Sequence, residues 1–138
     1  MGNQPSIKKV NFEDIQNLLQ NRQNTILINT LTHEDQECII PKTQDYKKEE
    51  HVINMCLNKD KNTIIIIYGK NSHDMKVYEK YNQLIDLGFT NVYIYPGGMF
   101  EWMLLQDIYS YEHFPTTTHE VDILKFKPKS GMCTDDSF

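Results

Sequence analysis

Apolar positions along the chain change period repeatedly, from consecutive runs of four or five to one-in-three-or-four spacing and back. Residues 7–10 read as a short edge strand. Asn11 follows as a helix N-cap, with Glu13 and Asp14 in the first turn, where the helix dipole favours acids. Val10 and Ile15 are spaced as a hydrophobic staple, and Phe12, Ile15, Leu18 and Leu19 form one apolar face. Residues 21–24 read as a turn and 25–31 as a strand. Its consecutive Ile26, Leu27 and Ile28 predict burial on both faces, as in a parallel sheet. Cys38, Ile39 and Ile40 form a short apolar run stopped by Pro41. Residues 46–57 have helical spacing at Val52, Ile53, Cys56 and Leu57. Residues 63–68 are the strongest strand, because Ile64 to Ile67 place it at the centre of a sheet.

Residues 69–74 are polar and read as a loop. A helix with Val77, Tyr81, Leu84 and Ile85 inward then runs to about Leu87, where Gly88 ends it as a C-cap. Residues 91–95 are the next strand, and 99–109 an apolar helix carrying Trp102. Thr117 and Glu120 have capping-box spacing for a last short helix ending near Phe126. Residues 129–138 read as disordered. Strands and helices alternate, which predicts an α/β fold with a parallel sheet covered on both faces. In such sheets ligands gather at the C-terminal strand ends, beside helix N-termini. The loop of Gly69, Lys70, Asn71, Ser72, His73 and Asp74 occupies that place, and its backbone amides could form a nest for a small anion. The competing reading is a solvated loop in which Ser72 or Asp74 caps the next helix.

Composition narrows the chemistry. The 138 residues suit one domain with a self-sufficient core. A net charge of −5 argues against general nucleic-acid binding, which needs clustered Lys and Arg to neutralise phosphates. Alanine is absent and Arg22 is the only arginine, a skew that reads as codon bias from an AT-rich genome. Three cysteines without paired spacing predict a reducing, cytoplasmic setting rather than a disulfide framework. Cys38, His51 and Cys56 lack zinc-ligand spacing, so no metal or other cofactor is expected. Phosphatase chemistry of the Cys-x5-Arg type is excluded, since Gln44 stands six residues after Cys38 and Asn62 six after Cys56. No apolar run approaches the roughly 20 residues of a membrane-spanning helix.

The first residues, Met1-Gly2-Asn3-Gln4-Pro5-Ser6, fit the N-myristoylation pattern, with Gly2 as the acceptor and Ser6 at the hydroxyl position. Lys8 and Lys9 would favour the anionic face of a membrane. The expected contact is peripheral, because a single myristoyl chain binds with K of only about 10⁴ M⁻¹. The expected organisation is therefore a lipid-modified start over 1–6, one domain over 7–126 and a tail over 127–138.

Three segments together resemble the rhodanese-like domain. They are Ile64-Ile65-Ile66-Ile67-Tyr68 running into the 69–74 loop; Leu87-Gly88-Phe89-Thr90-Asn91-Val92; and Gly97-Gly98-Met99-Phe100-Glu101-Trp102, similar to the Gly-Gly-x-x-x-Trp signature. The resemblance covers residues 7–115 and implies a five-stranded, mostly parallel sheet with helices on both faces. It also implies a cysteine first in the loop after the central strand, which takes up sulfur as a persulfide. Gly69 stands there, and the loop holds no sulfur. The family's Asp-x-Arg after the first long strand is replaced by Asn29-Thr30-Leu31. The packing signatures persist while the chemistry is missing, so the leading expectation is a catalytically inactive domain that acts through a protein partner or a small anion. Two alternatives stand beside it: a sulfurtransferase using a relocated Cys38, and a purely structural adaptor.

Overall fold

The structure is a computed structural model describing residues 6–21 and 24–132. Its elements run α1 (Phe12–Gln20), β1 (Thr25–Asn29), α2 (Glu49–Lys59), β2 (Ile64–Tyr68), α3 (Met75–Asp86), β3 (Val92–Tyr95) and α4 (Gly98–Tyr109), with 3-10 turns at His33–Glu37 and Ile123–Phe126. The strands form a parallel sheet in the order β1-β2-β3. The isoleucine run of β2 is central, as its pattern predicts. Period-two alternation divides it between two cores. Ile66 and Tyr68 face α1 and α4, and join Ile15, Leu18, Met99 and Trp102. Ile65 and Ile67 face α2 and α3, and join Ile53, Val77, Tyr81 and Leu84.

The sheet has three strands where five were expected, although the α/β class stands. Each missing strand is reduced to a single parallel bridge, Lys9 to Ile94 at one edge and Thr43 to Leu27 at the other. Local chemistry explains both. Residues 7–10 end at once in the Asn11 cap, whose side chain accepts from Glu13 N and Asp14 N while Asp14 accepts from Asn11 N. At the other edge Pro41 lacks an N–H, and Lys42 turns the chain with φ 68°. β1 stops at Asn29 because the Asn29 Oδ1 accepts from Leu31 N at 3.0 Å and turns the backbone.

Other departures are local. Tyr46 lies outside α2, and of that helix's four expected apolar positions only Ile53 is fully buried. Ile85 is exposed. Thr117 does not cap the last helix. Its hydroxyl donates to Glu37 O (2.8 Å) and accepts from Ile39 N (3.1 Å), while Glu120 pairs with Lys125 at 2.7 Å. That last helix is a 3-10 turn headed by Asp122. The Gly2 lipidation signal, Arg22 and residues 133–138 lie outside the described residues.

The Gly97-Gly98 pair brings α4 onto the loop after β2. Met99 N donates to Gly69 O (3.0 Å) and Phe100 N to Lys70 O (2.9 Å). Gly98 has φ 63°, and a Cβ there would stand 2.6 Å from Gly69 O and 3.0 Å from Asn71 N. Trp102, fully buried one turn later, donates to Pro115 O at 2.8 Å and packs edge-on against Tyr95 and Phe114. Gly98→Ala should therefore lower unfolding free energy by at least about 2 kcal/mol in urea denaturation, from left-handed strain and backbone collision. Gly131→Ala, with open space around the new Cβ, should stay within about 0.5 kcal/mol of wild type.

Candidate functional site

β1 and β2 end side by side, so Thr30 and Gly69 meet at the C-terminal edge of the sheet, with Asp74 capping α3 beside them. The Asp74 carboxylate organises this corner. Oδ1 accepts from Lys76 N (3.0 Å), while Oδ2 accepts from Lys70 N (3.1 Å) and from the Thr30 hydroxyl (3.1 Å). Asn71 fixes the middle of the loop. Its Oδ1 accepts from His73 N (2.9 Å), and its buried amide donates to Phe126 O (2.9 Å). Asp74 N donates to Asn71 O at 3.2 Å. The amides of Lys70, His73 and Asp74 thus have partners within the protein. Ser72 is exposed and caps nothing, so the cap falls to Asp74.

This wiring fills the space a side chain at position 69 would need. A Cβ on Gly69 would collide with Asp74 Oδ2, and would stand 2.6 Å from Val77 Cγ2 and 2.8 Å from Thr30 Oγ1. A carboxylate of the chain itself lies against the point where the side chain of a cysteine at position 69 would begin.

A cleft of about 450 Å³ opens beside the loop. Lys70, His73, Lys76, Lys127 and Lys129 line it, together with Asp35 and Asp74. Residues 127–132, expected as part of a disordered tail, run here as irregular backbone, and Lys127 N donates to Leu124 O at 3.1 Å. Asp35 is held by Lys125 (3.5 Å), which also binds Glu120 (2.7 Å). That hydrogen bond holds the Glu120 carboxyl below the usual carboxylate range and pushes Lys125 up.

Cys38 is buried and lies in the core, not along the cleft. Its Sγ donates to Thr118 O at 3.4 Å. Tyr68, the residue before Gly69, braces the same segment. Its hydroxyl bonds Thr43 Oγ1 (2.7 Å) and accepts from Ile40 N (3.3 Å), and burial pushes it well above the ordinary phenol range. Among the described residues no His, Cys, Asp and Glu side chains gather as a metal site, and no helix is long and apolar enough to cross a membrane.

Sequence reasoning placed the loop and left the cap between Ser72 and Asp74, of which the structure has Asp74. It missed Thr30 as the second partner of Asp74, because that bond spans 44 residues. It also missed Lys127 and Lys129 as cleft residues, since nothing in their spacing says that the segment turns back over the site.

The rhodanese-like domain family model matches residues 28–105, more than half of the chain. No curated protein matches the sequence. Among solved structures, the fold is similar to the BH2092 protein from Bacillus halodurans (TM-score 0.60, 14% identity, covering 87% of this chain and 90% of that one). It is similar also to the rhodanese-like domain of the Alr3790 protein from Anabaena (TM-score 0.59, 16% identity, 94% and 91%). A third likeness is to the thiosulfate sulfurtransferase from Pseudomonas aeruginosa, at TM-score 0.57 and 19% identity. That match covers 71% of this chain but only 19% of the larger enzyme.

The loop's dependence on Asp74 is testable by stability alone. Asp74→Ala removes the cap of α3 and the partners of Lys70 N and Thr30 Oγ1, and should cost about 1–2 kcal/mol in urea unfolding. Asp74→Asn keeps a cap acceptor and should cost less than half as much, roughly 0.5 kcal/mol.

Proposed function

The chain belongs to the rhodanese-like domain family, and from that premise we propose that it is a member that binds rather than transfers sulfur. Sulfur transfer needs a thiolate that can attack the donor and then carry a persulfide among the loop amides. The observation that carries the reading is the Asp74 carboxylate lying against the place where a side chain at position 69 would begin. That carboxylate takes the Lys70 amide for itself. The basic cleft alongside supports a binding role for a small anion or a protein partner. Gly2, followed by Ser6 and the Lys8-Lys9 pair, supports a reversible tether through myristate to an anionic membrane face.

Purified protein with thiosulfate and cyanide should form thiocyanate no faster than buffer. Gly69→Cys should remain at that background, because the restored Cβ meets Asp74, Val77 and Thr30. Turnover by the wild-type protein would end this reading, and its loss in Cys38→Ser would then assign the activity to the relocated cysteine. For the tether, co-expression with an N-myristoyltransferase and labelled myristate should label the wild-type chain but not Gly2→Ala. An unlabelled wild-type chain would remove the membrane part of the proposal.

A further inference from the structure

Four lysines line the cleft beside the 69–74 loop: Lys70 and Lys76 from the loop and the first turn of α3, and Lys127 and Lys129 from the C-terminal segment. Among the described residues, none of their ammonium groups forms an ion pair or hydrogen bond. The two acids that share the cleft are engaged elsewhere. Asp35 takes Lys125 and the Thr32 hydroxyl (3.2 Å), and Asp74 takes Thr30 and two backbone amides. Among the described residues, a chain of net charge −5 therefore sets four lysines against two acids in one concavity. Low-dielectric walls concentrate the field of such a cluster, and an anion relieves its self-repulsion.

We propose that this cleft is a binding site for an oligophosphate group, held between the lysines of the loop and those of the C-terminal segment. The proposal rests on the binding reading above and names its ligand class. The lysines come from two separate segments, and about 450 Å³ exceeds the need of one phosphate, so a ligand with charge spread over several phosphoryl groups fits better than a single small oxyanion. The amides of Lys70, His73 and Asp74 are already taken by Asp74 and Asn71, so recognition draws mainly on side-chain ammonium groups. Lysine is a compact point charge that tolerates varied phosphate geometry. The C-terminal segment is positioned to take part, since Phe126 is fully buried and its carbonyl accepts from Asn71. Lys127 and Lys129 lie beyond the family-matched residues 28–105.

Calorimetric titration of the full chain with sodium tripolyphosphate, at fixed ionic strength and without divalent cations, tests the site. Tripolyphosphate should bind at least about tenfold more tightly than inorganic phosphate or sulfate, and affinity should fall as salt rises. The double variant Lys127→Gln/Lys129→Gln should lose about fivefold or more in affinity with an unchanged circular dichroism melt. Lys47→Gln/Lys48→Gln, which removes equal charge away from the cleft, should change affinity less than about twofold. Absence of binding at millimolar tripolyphosphate would overturn the proposal, as would equal losses in the two double variants. Neither result touches the thiocyanate assay, so a failed site and a failed non-transferring reading are told apart.

Discussion

The site depends on a backbone approach. The first amides of α4 donate to the carbonyls of Gly69 and Lys70, and this is feasible only because residue 98 has no Cβ and accepts a left-handed φ. The contact fixes the loop between two rigid elements. β2 delivers it from the centre of the sheet, and α4 clamps its start from above. Trp102, one turn along α4, locks the helix against Tyr95 and Phe114 and ties it to Pro115. The Gly-Gly-x-x-x-Trp pattern is in this sense a packing device. It stays meaningful in a chain whose loop carries no cysteine, because the helix must still reach the loop for the core to close.

Within that clamp, Asp74 resolves a conflict that the fold creates. A loop leaving a central parallel strand and entering a helix presents several backbone N–H groups to one point. Those donors need an acceptor, whether a thiolate, a bound anion or a side chain of the protein. Here Asp74 supplies it for Lys70 N and Lys76 N and Asn71 for His73 N, and the Thr30 hydroxyl from the neighbouring strand end donates to the Asp74 carboxylate. Glycine at 69 and aspartate at 74 are then two halves of one arrangement. The carboxylate can lie where it does only because position 69 has no side chain to occupy that volume.

The fold was legible wherever one local rule decided it. The isoleucine run of β2, the Asn11 cap and the Gly88 stop are each written in a few adjacent residues, and each appears as read. Errors came where a residue's partner lies far along the chain. Thr117 has cap spacing with Glu120, yet its hydroxyl is used by Glu37 and Ile39, about 80 residues away. Ile85 has inward spacing but sits on the open side of α3. The edge strands failed for a different reason. Their apolar content suits pairing, but the Asn11 cap ends residues 7–10 after one bridge, and the Pro41-Lys42 turn separates residues 38–40 from the single bridge at Thr43.

The same divide between local and distant information separates the two halves of the cleft. Lys70 and Lys76 flank a loop that the strand–loop–helix grammar already marks as a ligand position. Lys127 and Lys129 follow a short 3-10 turn in a polar stretch, where composition alone suggests solvent. What brings them back is the tertiary anchoring of their segment. Phe126 is buried in the core that holds Trp102, its carbonyl takes the Asn71 amide, and Lys125 is tied to Asp35, itself a residue of the cleft. One buried aromatic ring thus turns a basic tail into a wall of the site. A substitution at Phe126 would consequently act on the cleft's charge and on the Asn71 contact of the loop together.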